Sequence, residues 1–218
     1  ATISGPLTNE GNFVSNQNYS IYNDNGSVIT GQLTKEGDFI KNFSYTTERE
    51  HKTKIIGELD PIEGRFISDK EYRVISPEKT VQACTFTTHN DKLGLWNTSD
   101  PSNPKPIVHE IYTIMFDSLE IDGPLNQDGS PIIDQTYTYY PDDEDQGREC
   151  KYLTHNEMTG FFDTSESGNP KPIDNQFYNK NGKKLLYAEL PDYCNLGCNI
   201  SGLFNGDTNS IEIGETYS

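Results

Sequence analysis

The residues with the widest chemical range in this chain are its four cysteines and four histidines, and two of each recur at one spacing. "CTFTTHNDKLGLWNTSDPSNPKPI" begins at Cys84 and "CKYLTHNEMTGFFDTSESGNPKPI" at Cys150, with twelve of 24 positions identical and no gap. Each copy carries a histidine five residues after its cysteine, at His89 and His155. Two thiolates and two imidazoles would suit tetrahedral zinc. A zinc knuckle, however, gathers two cysteines in one loop, whereas each cysteine here sits in its own copy. The "THN" motif also reads as a turn, in which Asn tolerates the left-handed region and its neighbour needs no metal. No metal site is therefore expected. The even count of Cys84, Cys150, Cys194 and Cys198 points instead to disulfides, for which three pairings exist. Pairing 84–150 with 194–198 is the first expectation, and a crossed pairing stays open. A bridge closing a long loop contributes roughly 2–4 kcal/mol.

Other candidate chemistry is sparser. "YYPDDEDQG" concentrates Asp142, Asp143, Glu144 and Asp145. Asp143, Asp145 and Gly147 faintly echo a calcium loop, without its flanking helices or its twelfth-position Glu. A solvated acidic turn is the simpler reading, so calcium is the sole cofactor candidate. Trp96 and Phe162 are equivalent across the duplication, as are Tyr112 and Tyr178. Such rings stack on sugars, but aromatics at fixed repeat positions belong more often to a core. The chain has no nucleophile elbow, phosphate loop or dinucleotide fingerprint, and "HEIYT" at His109 lacks the second histidine of a zincin. No catalytic residue is assigned and no enzyme is expected.

A net charge of −17 and a pI near 4.5 argue against nucleic acid or an anionic membrane surface as partner. No run of 18 apolar residues suggests membrane insertion. The start at Ala1, without a leader, is expected of a processed chain or a fragment. Glycosylation triplets stand at Asn18, Asn25, Asn42, Asn97 and Asn199. With the even cysteine count, they place the chain outside the cell or on a cell or virion surface.

The elements that must position these residues read as β. Hydrophobic residues make up only 32% of the chain, yet aromatics reach 11%, a mix suited to half-buried strands. An apolar residue, a spacer, Gly, a spacer and Leu or an aromatic recur as "ISGPL" at Ile3, "IIGEL" at Ile55, "IDGPL" at Ile121 and "ISGLF" at Ile200. A tyrosine follows each Gly by 14 or 15 residues, at Tyr19, Tyr72, Tyr137 and Tyr217. This gives repeat units 1–52, 53–118 and 119–197, the last with a cysteine-containing insertion, and a partial unit 198–218. Within the first unit Gly31 and Tyr45 repeat the pattern, and "LGLW" and "TGFF" are weaker copies around Gly94 and Gly160. Each half-unit reads as one hairpin. "YNDNGSV" predicts a tight Asn-Gly turn, and "NPKPI" a stiff connector outside any central strand.

The expected fold is all-β, with β-hairpin or β-sandwich-like modules stacked in an elongated array. The expected function is an extracellular structural subunit of a fibre, filament or surface adhesin, assembling head-to-tail with itself. Its interface would join Leu203, Phe204, Ile211, Ile213 and Tyr217 to the end that carries Ile3. The alternative is a secreted module that binds carbohydrate or another ligand, with a glycan or cell surface as partner.

Overall fold

The computed structural model describes residues 1–116, 119–141, 146–166, 168–190 and 200–205. Regular structure among them is all β-strand, with no helix. The chain divides into two compact units, Ala1–Glu110 and Ile111–Ser218.

The first unit contains β1 (Thr2–Ser4), β2 (Asn18–Tyr22), β3 (Val28–Gln32), β4 (Ser44–Glu48), β5 (Lys54–Glu58), β6 (Lys70–Ile75), β7 (Val81–His89), β8 (Lys92–Asn97) and β9 (Lys105–Pro106). Each strand pairs antiparallel with the next in sequence. Strand β1 therefore has only β2 as partner within the unit, and its other edge is unpaired there. The second unit runs in the same way through β10 (Ile111–Phe116), β11 (Leu119–Pro124), β12 (Thr136–Tyr140), β13 (Arg148–His155), β14 (Met158–Asp163), β15 (Lys171–Pro172), β16 (Gln176–Lys180), β17 (Lys183–Leu190) and β18 (Ile200–Asn205). Its strand β16 pairs with both β14 and β17.

The spacing from Gly to Tyr has a direct physical cause. The ring of each tyrosine lies flat on the Cα of the glycine in the preceding strand. A Cβ on Gly5, Gly31, Gly57 or Gly123 would sit 2.2, 2.2, 2.3 or 1.9 Å from the Cδ1 of Tyr19, Tyr45, Tyr72 or Tyr137. The hydroxyl then closes the loop between the two strands. Tyr45 Oη accepts from Ile40 N–H at 2.7 Å and donates to the Gln32 carbonyl at 2.7 Å. Tyr19, Tyr72 and Tyr137 make the same two bonds at 2.7–2.8 Å, and Tyr178 bonds Ile173 N–H and the Phe161 carbonyl. One phenol thus binds both a main-chain N–H and a main-chain carbonyl.

Turn chemistry explains the rest. Asn90 and Asp91 have φ of 48° and 58°, and Asn156 and Glu157 have 49° and 65°, so both "THN" segments are two-residue hairpin turns as expected. Asn181–Gly182 is a third. The "YNDNGSV" turn differs from its expectation. Five residues, Asn23–Ser27, close the hairpin and only Gly26 is left-handed, because Asn25 spends its side chain accepting from Ser27 N–H at 3.0 Å. "NPKPI" is extended as expected, and its Lys-Pro forms the two-residue strands β9 and β15, each paired with the strand before it.

Candidate functional site

Cys84 and Cys150 are buried free thiols, 1% and 0% exposed, so the expected 84–150 bridge is not formed. The register shows why they are buried. Tyr19 faces Gly31 and Tyr45 faces Gly57 across the strands, and Tyr72 faces Cys84 and Tyr137 faces Cys150 in the same manner. The cysteines thus occupy a core position of the motif, Cys84 among Ile55, Tyr72, Val74, Leu95 and Ile107. Burial pushes both thiols up to about 12, which keeps them protonated and unreactive at neutral pH. The five-residue spacing puts His89 and His155 on the opposite face of the strand from their cysteines, so a cysteine and its histidine cannot share an ion. His89 packs edge-on against Trp96 at 4.9 Å, and His155 against Phe162 at 5.8 Å.

Trp96 and Phe162 are 2% and 0% exposed and offer no ring face for stacking on a sugar. Leu203 and Phe204, expected at an assembly interface, are buried inside their own unit, where Leu203 packs with Phe162, Tyr178 and Leu185. Ile3 lies on β1 and is 43% exposed. Asn18, Asn25 and Asn42 are exposed, whereas the Asn97 amide is half-buried and donates to Gln82 at 3.2 Å. Cys194, Cys198, Asn199, Ile211, Ile213 and Tyr217 lie outside the described residues, as do Asp142, Asp143 and Asp145.

The most unusual polar cluster of the first unit was not assembled from the sequence. Arg49 directly follows β4 and Glu110 ends the unit, 61 residues later, and the two form a bidentate pair at 2.6 and 3.0 Å. Glu110 is only 4% exposed, so its carboxylate has lost most of its water and depends on the guanidinium. Arg49 also lies over the Phe66 ring at 5.5 Å. Each partner brings a histidine with it, His51 and His109, whose rings sit 5.0 Å apart at 50°. Burial, then the adjacent His109, lower the pKa of His51, which keeps its imidazole neutral at pH 7. One signal for this cluster was legible. The residue three before Tyr19, Tyr45, Tyr72, Tyr137 and Tyr178 is Asn16, Asn42, Asp69, Asp134 and Asn175 in turn, but His109 takes that place before Tyr112. All six are left-handed, with φ between 58° and 68°.

A groove of about 510 Å³ opens on the same unit, with Ile21, Ile29, Phe39, Leu59, Phe66 and Phe86 among its lining. Among the described residues, no group of three or more His, Cys, Asp or Glu is arranged to hold a metal ion. No protein-family model matches the chain, and no curated protein matches it.

Proposed function

We propose that this chain is a structural repeat protein, an array of stacked β-hairpin modules that assembles with further copies of itself through the β1 edge. The observation that carries the reading is a ladder of aromatic rings on turn glycines. The Phe13 ring lies against Gly37 in the next hairpin, and the Phe39 ring against Gly64, each within 2.6 Å of where a Cβ would stand. Gly11 holds the same place in "TNEGNF" that Gly37 holds in "TKEGDF", with φ of 83°, yet nothing lies within 4 Å of its Cβ position. The β1 edge thus presents the same turn glycine with its Cβ side open, beside Ile3 and Leu7 at 43% and 55% exposed. A hairpin of the same kind fits there by adding a strand to β1. Extracellular placement agrees with the acidic composition and is part of the same reading.

Sedimentation velocity over a concentration series tests this. The unaltered chain should form growing oligomers, and Ile3→Lys, which places a charge on the edge strand, should remain monomeric with an unchanged circular dichroism spectrum. A chain that stays monomeric at the highest soluble concentration, or an Ile3→Lys variant that assembles equally well, overturns the proposal. A second reading, a module that binds an apolar or aromatic-stacking ligand, is favoured by the groove, where Phe39, Phe66 and Phe86 are only partly buried. A glycan-array signal lost on Phe86→Ala would support it.

A further inference from the structure

The turns that carry His51 and His109 break the chain's own pattern at several points, and these converge on one spot. At the left-handed position before the core tyrosines, five residues are Asn or Asp, whose short polar side chains tolerate that conformation; His109 adopts it at φ 68° with a bulky ring. His109 thus replaces the usual Asn or Asp at a position that histidine also tolerates, and brings an imidazole to it. The five-residue turn Arg49–Thr53 matches Asn23–Ser27, with main-chain bonds of 2.8 and 2.9 Å, and puts His51 where Asn25 stands. Asn25 satisfies its own side-chain oxygen within its turn. His51 does not: its Nε2 is buried without a hydrogen-bond partner, alone in this among the described residues. A buried, unpaired ring nitrogen beside a second imidazole calls for a partner that the surrounding residues do not supply.

We propose that His51 and His109 form a two-imidazole site for a divalent transition-metal ion of the zinc, copper and nickel group. Neutral imidazole is a good donor for these ions, whereas calcium and magnesium require several oxygens. The neighbouring carboxylate of Glu110 is held by Arg49 and acts as a clamp between the two turns rather than as a ligand. Two protein ligands leave the other coordination positions to water. Such a site differs from a closed four-ligand structural centre.

The test titrates the full chain with zinc chloride by calorimetry and with copper(II) by electron paramagnetic resonance. One ion should bind per chain, with nitrogen hyperfine structure in the copper spectrum. His51→Asn and His109→Asn each install the residue found at the equivalent place elsewhere in the chain, so the fold should persist. Each should weaken zinc binding roughly tenfold or more. His89→Asn with His155→Asn should leave binding unchanged. No saturable zinc binding, equal affinity in the His51→Asn variant, or equal loss in the His89/His155 variant would each overturn the proposal. Should a variant fail to fold, NMR of the unaltered chain decides. Substoichiometric copper(II) should broaden the His51 and His109 ring signals before those of His89 and His155, and the reverse order refutes the site.

Discussion

One tyrosine and one glycine do most of the structural work at the residue scale. The phenol satisfies two main-chain groups only if its ring lies on a residue without a Cβ, so neither partner can change alone. Gly31→Ala puts a methyl 2.2 Å from Tyr45 Cδ1 and 3.2 Å from the Phe43 ring. The ring must leave its place and both hydrogen bonds go with it, and urea denaturation should show a loss of about 2–3 kcal/mol. Gly11→Ala meets no atom within 4 Å and pays only for its φ of 83°, so it should cost about 1 kcal/mol. Equal losses at the two positions would refute the lock. The buried thiols carry a pH consequence. In the unfolded chain a thiol ionises near about 8.5, whereas Cys84 and Cys150 in the folded chain hold their protons to about 12. Within that window the folded state binds more protons, so stability is complete below it and falls as pH rises through it. Urea stability measured from about pH 8 to 11 should decline, and less steeply with Cys84→Ala and Cys150→Ala together. At neutral pH a thiol reagent should modify these two cysteines only after unfolding.

The element that decides register is the hairpin turn. Among the described residues, three two-residue turns have both residues left-handed, and Asn181–Gly182 uses the pair best suited to that geometry. Asn156–Glu157 uses a poorer one, since Glu157 is held at φ 65° with a full side chain. Glu157→Gly should therefore raise stability by roughly 0.5–1 kcal/mol, read as a higher urea midpoint. A lower midpoint would mean that the Glu157 side chain makes a contribution of its own. Five-residue turns such as Asn23–Ser27, Arg49–Thr53 and Ser76–Thr80 tolerate more variety, because one left-handed position, at Gly26, Lys52 or Lys79, is enough. That tolerance is what lets Arg49 and His51 enter a turn without disturbing its backbone.

For the whole molecule, charge is the dominant property. Copies that each carry −17 repel one another, and the proposed β1 junction must form against that repulsion. Salt screens charges more than about 10 Å apart at 0.1 M but hardly touches strand pairing or buried apolar contacts. Oligomer size in sedimentation should therefore rise as sodium chloride goes from about 10 mM to about 150 mM. Assembly that weakens over this range would show that the contacts are ionic rather than strand addition.

The sequence alone determined that the chain is β-rich and that Gly, Leu and Tyr recur at set intervals, because alternation and turn preference act over a few residues. The "THN" turns were legible for the same reason, since Asn90 and Asn156 carry their own conformational preference. What the interval was for could not be read, because the tyrosine ring and its glycine belong to different strands and meet only once register is set. The cysteines show the same limit. Their count suggested bridges, but register placed Cys84 and Cys150 in the core opposite Tyr72 and Tyr137, each as a free thiol. His51 and His109 are separated by 58 residues and two different kinds of turn, and no local pattern links them. Only the tertiary structure brought them together, through the single ion pair of Arg49 with Glu110.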